Sequence, residues 1–249
     1  MPSAWLYTLV SVLIVSLFSL VGVLTIAIKR AYLKRILLFF VSFAAGALLG
    51  DVFIHLLPEL VGEGLFDLST SFYILGGILV FFVLEKILHW RHCHMSATHD
   101  HVHPLAHMNL IGDAIHNFTD GMVIAGSFLV SVPVGIATTV AVLLHEIPQE
   151  MGDFGILLHS GMSVKRALFF NFITAATAFF GAIFILMLNL DPEAVLRYII
   201  PFVIGGFLYI ASSDLIPEMH KDVKPLNSLF QLLSLLVGVG VMFALLALE

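Results

Sequence analysis

Charged side chains and cysteine are scarce in this 249-residue chain. Only 11% of the residues are Asp, Glu, Lys or Arg, whereas 60% are hydrophobic. That balance excludes an ordinary soluble domain, in which about a quarter of the residues are charged. The single cysteine, Cys93, excludes an intrachain disulfide and says little about redox compartment. The net charge of -6 is not that of a nucleic-acid-binding protein, and we predict no nucleic-acid partner.

The chain consists almost entirely of apolar stretches long enough to cross a lipid bilayer, for which about 20 residues suffice. We predict an all-α polytopic membrane protein with one domain over residues 1–249. The first stretch lacks a basic leader and a small-residue cleavage site, so we expect it to be retained as a helix. The eight predicted transmembrane helices cover residues 4–28, 36–58, 70–89, 109–130, 134–159, 167–189, 195–214 and 226–247.

Lysine and arginine indicate the orientation of these helices, because both residues favour cytoplasmic loops. Ten of the eleven fall in the loops that follow odd-numbered helices, and only Arg197 falls on the other side. We therefore predict that both termini are outside. The location that fits is the plasma (inner) membrane. Acidic residues gather in the outer loops, where they would attract cations.

Two segments of the sequence resemble each other. Residues 48–60 end the second predicted helix and residues 207–219 end the seventh, and they align without gaps at two Leu positions and at Pro58/Pro217 and Glu59/Glu218. By the charge pattern these helices end on opposite sides, as in an inverted repeat of helices one to three and six to eight. The alternative is that Pro-Glu recurs only because proline stops helices.

The loop at about 90–107, predicted to be cytoplasmic, is rich in histidine. Seven of the twelve histidines in the chain lie within residues 89–107. Such tracts favour weak metal binding at several sites, although a flexible polar linker is the alternative. The residues that we predict to capture metal are His92, His94, His99, His101 and His103.

Two motifs place ionisable groups at membrane depth, HNFTDG at 116–121 and HEIPQE at 145–150. Each such group costs about 2.5–3.5 kcal/mol to insert, so it usually marks an ion or substrate path. Residues four apart share a helix face, which places His116 with Asp120, and His145 with Gln149. Imidazole and carboxylate together suit Zn(II), Fe(II), Mn(II) or Cd(II). The alternative is that these groups pair only with one another.

These motifs and the eight-helix pattern resemble the ZIP (Zrt/Irt-like) metal transporters, closest to the subfamily with an HExPHE motif in the fifth helix. The resemblance implies a 3+2+3 helix arrangement, transport of divalent metal, chiefly zinc, into the cytoplasm, and a homodimer. It also implies lower-weight metal-binding roles for Glu150 and, toward the outer entrance, for Asp51 and His55. The positions that match the binuclear transport site of the family are His116, Asn117, Asp120, His145, Glu146 and Gln149.

The chain departs from the subfamily motif at Gln149, where HExPHE has histidine. A neutral amide oxygen is a weaker ligand for zinc-like ions than imidazole. We therefore hypothesise looser binding of zinc, or a preference for harder ions.

Other function classes fit less well. HEIPQE lacks the second histidine of the HExxH zinc protease motif, so we predict no enzymatic activity. A metal sensor would use the histidine-rich loop and leave the intramembrane carboxylates as structural pairs. Cation-diffusion exporters usually have six helices. Asp214, Glu218 and His220 could form an exit chain, although we expect ordinary interfacial groups there.

Overall fold

The computed structural model describes residues 2–23, 30–93 and 102–248. All regular secondary structure in these three ranges is helical, and it forms eight helical segments. The segments are α1 (Pro2–Phe18), α2 (Arg30–Gly50, Asp51–Leu56 and Leu57–Gly62), α3 (Leu68–Cys93), α4 (Val102–Val130), α5 (Val132–His159), α6 (Val164–Ala175 and Thr177–Met187), α7 (Pro192–Ala194, Val195–Ile199, Ile200–Tyr209, Ile210–Leu215 and Ile216–His220) and α8 (Pro225–Leu245).

Seven helices of the described residues are long and apolar enough to cross a membrane, which confirms the predicted fold class. The one segment of the eight outside that set is α4, which carries the polar residues of HNFTDG. Helix α3 continues to Cys93 and α4 begins at Val102, so both helices extend into the predicted loop at about 90–107. Residues 94–101, with His94, His99 and His101, and the side chains of His92 and His103 lie outside the described part of the chain.

The similarity between residues 48–60 and 207–219 extends to the backbone. Each segment contains a six-residue π-helix, Asp51–Leu56 in α2 and Ile210–Leu215 in α7, at the same aligned positions. A short α-helix with proline in its first turn follows each of them. A π-helical turn is rare and often lies at a functional site. Its recurrence at one aligned position supports an inverted repeat over a chance recurrence of Pro-Glu.

Two helix crossings repeat in the same way. Helix α2 packs along α8 and α7 packs along α3. A Cβ atom on Gly46 of α2 would lie 2.0 Å from the carbonyl oxygen of Leu235, and one on Gly205 of α7 would lie 2.1 Å from that of Ile74. Both glycines lie two residues before the aligned segments. Close backbone contact of this kind is how helices associate in membranes, so the two pairs are equivalent.

Helices α4 and α5 form a tight hairpin at the centre of the fold. Ser131 alone separates them, and its hydroxyl oxygen accepts a hydrogen bond from the N–H of Val134 at 3.3 Å, which caps α5. Helix α4 also packs closely on α6, because a Cβ atom on Gly121 would lie 1.8 Å from the carbonyl oxygen of Ala178. Helix α5 remains continuous through Pro148. The hairpin carries both polar motifs side by side.

Candidate metal centre

Four of the predicted ligands meet between α4 and α5. The Nε2 atoms of His116 and His145 lie 3.2 Å apart. A carboxylate oxygen of Asp120 lies 3.6 Å from Nε2 of His116 and 3.5 Å from that of His145, and a carboxylate oxygen of Glu146 lies at 3.3 and 3.6 Å. Three of these side chains are no more than 2% exposed, and His116 is 17% exposed. The motifs thus bring two imidazoles and two carboxylates to one point.

The spacing of these four atoms matches a tetrahedral zinc site. Five of the six distances among them are 3.2–3.6 Å. The centre of a tetrahedron lies about 0.61 edge lengths from each corner, which here is about 2.0–2.2 Å, the range of Zn–N and Zn–O bonds. No thiolate or thioether belongs to this set, so its chemistry favours a borderline divalent ion over Cu(I).

The ring of His145 is oriented by its own helix. Its Nδ1 atom lies 3.2 Å from the carbonyl oxygen of Ala141. Since a carbonyl oxygen only accepts, Nδ1 carries the proton, and in the neutral ring Nε2 keeps its lone pair toward His116 and the carboxylates. A histidine that binds metal typically donates its second N–H in this way.

A second stripe of side chains runs beside the first. Carboxylate oxygens of Asp113, Glu146 and Glu150 lie within 4.8 Å of one another, and all three side chains are buried. Asn117 donates a hydrogen bond to Asp113 at 2.8 Å, and Asn171 of α6 donates one to Glu150. The sequence placed Asp113 one turn before His116, but the packing of Asn171 against Glu150 required the folded chain.

Known proteins resemble the chain over nearly its whole length. The sequence profile described as ZIP zinc transporter matches residues 3–107 and 92–246. The chain is 35% identical to zinc transporter ZIP13 of Pongo abelii, across 96% of the chain and 77% of that protein. It is 31% identical to zinc transporter zipt-7.1 of Caenorhabditis briggsae (96% and 78%), and 32% identical to metal cation symporter ZIP14 of Xenopus tropicalis (88% and 63%).

The chain belongs to the ZIP zinc transporter family. It is therefore an integral membrane protein of a transporter family, and the resemblance seen in its motifs is confirmed. ZIP membership also accounts for the burial of so many ionisable groups, because a path for metal ions requires polar ligands at membrane depth.

Three ZIP motif positions lie beside the four-residue cluster. The side chain of Asn117 is fully buried and bonds to Asp113. Gln149 is half-buried and lines two cavities next to His145 and His116. Glu150 belongs to the second stripe. Neither Asn117 nor Gln149 contributes an atom to the two groups of potential ligands found among the described residues, which include only His, Asp, Glu and Cys side chains.

Asp51 and His55 of the ZIP chain lie on the π-helical part of α2, and both are buried. Asp51 accepts a hydrogen bond from the hydroxyl of Thr138 at 3.0 Å, and Nε2 of His55 lies 2.9 Å from the carbonyl oxygen of Met242. Neither residue joins the clusters on α4 and α5. Their entrance role remains a prediction.

Two water-sized cavities reach the cluster from one end of the bundle. A cavity of about 790 Å³ connects His145 and Gln149 with Asp214 and Glu218 near the end of α7. A second, of about 220 Å³, is lined by residues that include His116 and Asp214. Beside Asp120 there is only an apolar pocket of about 40 Å³, lined by residues that include Phe81 and Phe207. Asp214 and Glu218, expected to be ordinary interfacial groups, therefore share a cavity with the cluster.

Proposed function

We propose that the chain carries Zn(II) across the membrane into the cytoplasm, with His116, Asp120, His145 and Glu146 as the ligands. The observation that carries this proposal is the tetrahedron of donor atoms 3.2–3.6 Å apart. The names of the relatives, zinc transporters ZIP13 and zipt-7.1, support zinc as the cargo. Asn117 and Gln149 border the site as additional oxygen donors. Fe(II), Mn(II) and Cd(II) are alternative cargoes of the same donor set.

The direction of transport follows from the cavities and the charge pattern. The large cavity ends among Glu218, Lys221 and Asp222, next to the loop that carries Lys221 and Lys224. Basic loops favour the cytoplasmic side. We infer that the bundle is open toward the cytoplasm, and that the apolar pocket beside Asp120 lies on the closed, outer side.

Orientation can be tested with single cysteines in a Cys93→Ser background. Glu63→Cys lies between α2 and α3, and Val223→Cys lies between α7 and α8; both positions are exposed. With both termini outside in the plasma (inner) membrane, a membrane-impermeant maleimide added to whole cells should label Glu63→Cys only. Labelling of Val223→Cys alone would reverse the orientation. Cross-linking of the purified protein to twice its mass would support the homodimer.

Flux into proteoliposomes tests the function. Radioactive zinc should enter saturably, with Fe(II), Mn(II) and Cd(II) as competitors, and the order of competition ranks the cargoes. Asp120→Asn should abolish most of this flux, because the variant keeps the shape of the side chain but loses its charge. Zinc flux that equals the wild-type rate in Asp120→Asn would refute the proposed site.

The same assay separates a carrier from a sensor. The histidine-rich loop can be altered by replacing His92, His94, His99, His101 and His103 with Asn. We propose that this loop captures metal on the cytoplasmic side, so a carrier should retain flux through the membrane after the replacement. Loss of all flux in the loop variant, with flux retained in Asp120→Asn, would favour the sensor.

A further inference from the structure

Three carboxylates form a second buried cluster on the stripe beside the proposed zinc ligands. Asp113 is 5% exposed, Glu146 2% and Glu150 1%, and one oxygen from each lies within 4.8 Å of the others. Asp113 lies on α4 and the two glutamates lie one turn apart on α5. Asp113 and Glu150 are outside the six positions that the family resemblance marks.

Most of the oxygens in this cluster have no hydrogen-bond donor. Both carboxylate oxygens of Glu146, Oδ2 of Asp113 and Oε1 of Glu150 are buried without a hydrogen-bond partner. Among the described ion pairs, no lysine or arginine meets these three side chains. Buried charges are normally paired or bound to a metal ion, so the cluster calls for a cation.

Two uncharged side chains point to the same conclusion independently. Asn117 and Asn171 are fully buried, and each donates its N–H to a carboxylate of the cluster, Asn117 to Asp113 and Asn171 to Glu150. The Oδ1 atom of each amide is buried without a hydrogen-bond partner. An orphaned amide oxygen beside a carboxylate is a ligand of the kind that oxygen-preferring cations use.

We propose that Asp113, Glu146 and Glu150 form a second, all-oxygen cation site, which shares Glu146 with the His/carboxylate cluster. Its occupant is a hard divalent cation, of which Mn(II) is the probe, because carboxylate and carbonyl oxygens without imidazole suit Mn(II), Mg(II) and Ca(II). The amide oxygens of Asn117 and Asn171 complete the set of donors. The proposal concerns binding alone and stands whether or not zinc is transported.

Glu146 links the two sites. One of its carboxylate oxygens lies 3.3 Å from Nε2 of His116, while the same carboxylate belongs to the acidic trio. A cation in the all-oxygen site therefore holds Glu146 in place beside the two histidines. The two stripes of the hairpin thus offer adjacent sites of different ligand chemistry.

Electron paramagnetic resonance of Mn(II) tests the proposal on the purified full-length chain in detergent, with one equivalent of Zn(II) already bound. Mn(II) should bind with no ¹⁴N coupling in pulsed spectra, since imidazole is absent from the site. Asp113→Asn and Glu150→Gln should each weaken Mn(II) binding by about tenfold or more, as changes around metal sites do. Zinc affinity should change much less in both variants, and Glu63→Gln, an exposed carboxylate, is the matched control.

Three results would overturn the proposal: no Mn(II) binding, ¹⁴N coupling in the Mn(II) signal, or unchanged Mn(II) affinity in both variants. Retained zinc binding shows that a variant is folded. If Asp113→Asn and Glu150→Gln both lose zinc as well, Asn171→Asp decides the question. That variant adds a fourth carboxylate and should tighten Mn(II) binding, whereas unchanged or weaker binding would contradict the all-oxygen site.

Discussion

Replacing His145 with alanine removes one of four donor atoms from the proposed zinc site. Zinc-finger sites with four ligands contribute about 10–16 kcal/mol, or about 2.5–4 kcal/mol for each ligand. Because the buried ring leaves space that water can enter and one water can replace the imidazole, the net loss should be smaller, about 2–3 kcal/mol. Since every 1.4 kcal/mol is tenfold, zinc should bind about 30- to 150-fold more weakly.

Competition against a chromophoric zinc chelator measures this change on the purified protein. His220→Ala is the matched control, because His220 is exposed near the end of α7, outside both clusters. The ring of His145 also packs edge-on against Phe207, with centroids 6.3 Å apart, so an unchanged elution volume must show that the variant is folded. An affinity within about threefold of wild type in His145→Ala would refute the tetrahedral site.

Three further changes have definite expected outcomes. Gln149→His should raise zinc affinity in the same chelator assay, because it adds an imidazole in the cavity beside His145; unchanged or weaker binding removes the hypothesis. Zinc uptake should fall as the pH drops through about 6.5, where histidine ordinarily takes up a proton, because zinc binds only the neutral ring; uptake that is flat from pH 7.5 to 5.5 contradicts this. Gly121→Ala should lower the unfolding free energy by about 1–3 kcal/mol, since its Cβ would meet the carbonyl oxygen of Ala178, whereas Gly76→Ala, with open space around it, should be neutral in thermal unfolding.

Helical geometry explains why much of the site could be predicted from the sequence. Residues three and four apart share a face, so the grouping of His116 with Asp120, and of Glu146 with Glu150, needs only local structure. The length of the apolar stretches likewise predicted the helices. The prediction of interfacial positions for Asp214 and Glu218 did not include the cavity that they share with His145. That cavity depends on how α2, α5 and α7 pack.

The rotation of each helix about its axis could not be predicted from local pattern. The stripe of α4 that faces α5 is set by backbone contact between Gly121 and Ala178, and such contacts depend on the whole bundle. Gln149 shares a stripe with His145 on the chain, yet it is turned toward the cavities. The π-helical turns carry no residue signature of their own, although Pro58 and Pro217 follow them.

The one-residue connection at Ser131 constrains how cargo can leave the protein. Helices α4 and α5 carry all four proposed zinc ligands, and a capped turn leaves them little freedom to separate. The coordination polyhedron should then travel intact between the two faces of the membrane. Unloading would be a matter of hydration: the ion departs when the large cavity lets water compete for it, rather than when its ligands are pulled apart. A carrier built in this way switches access while it preserves the geometry of its grip.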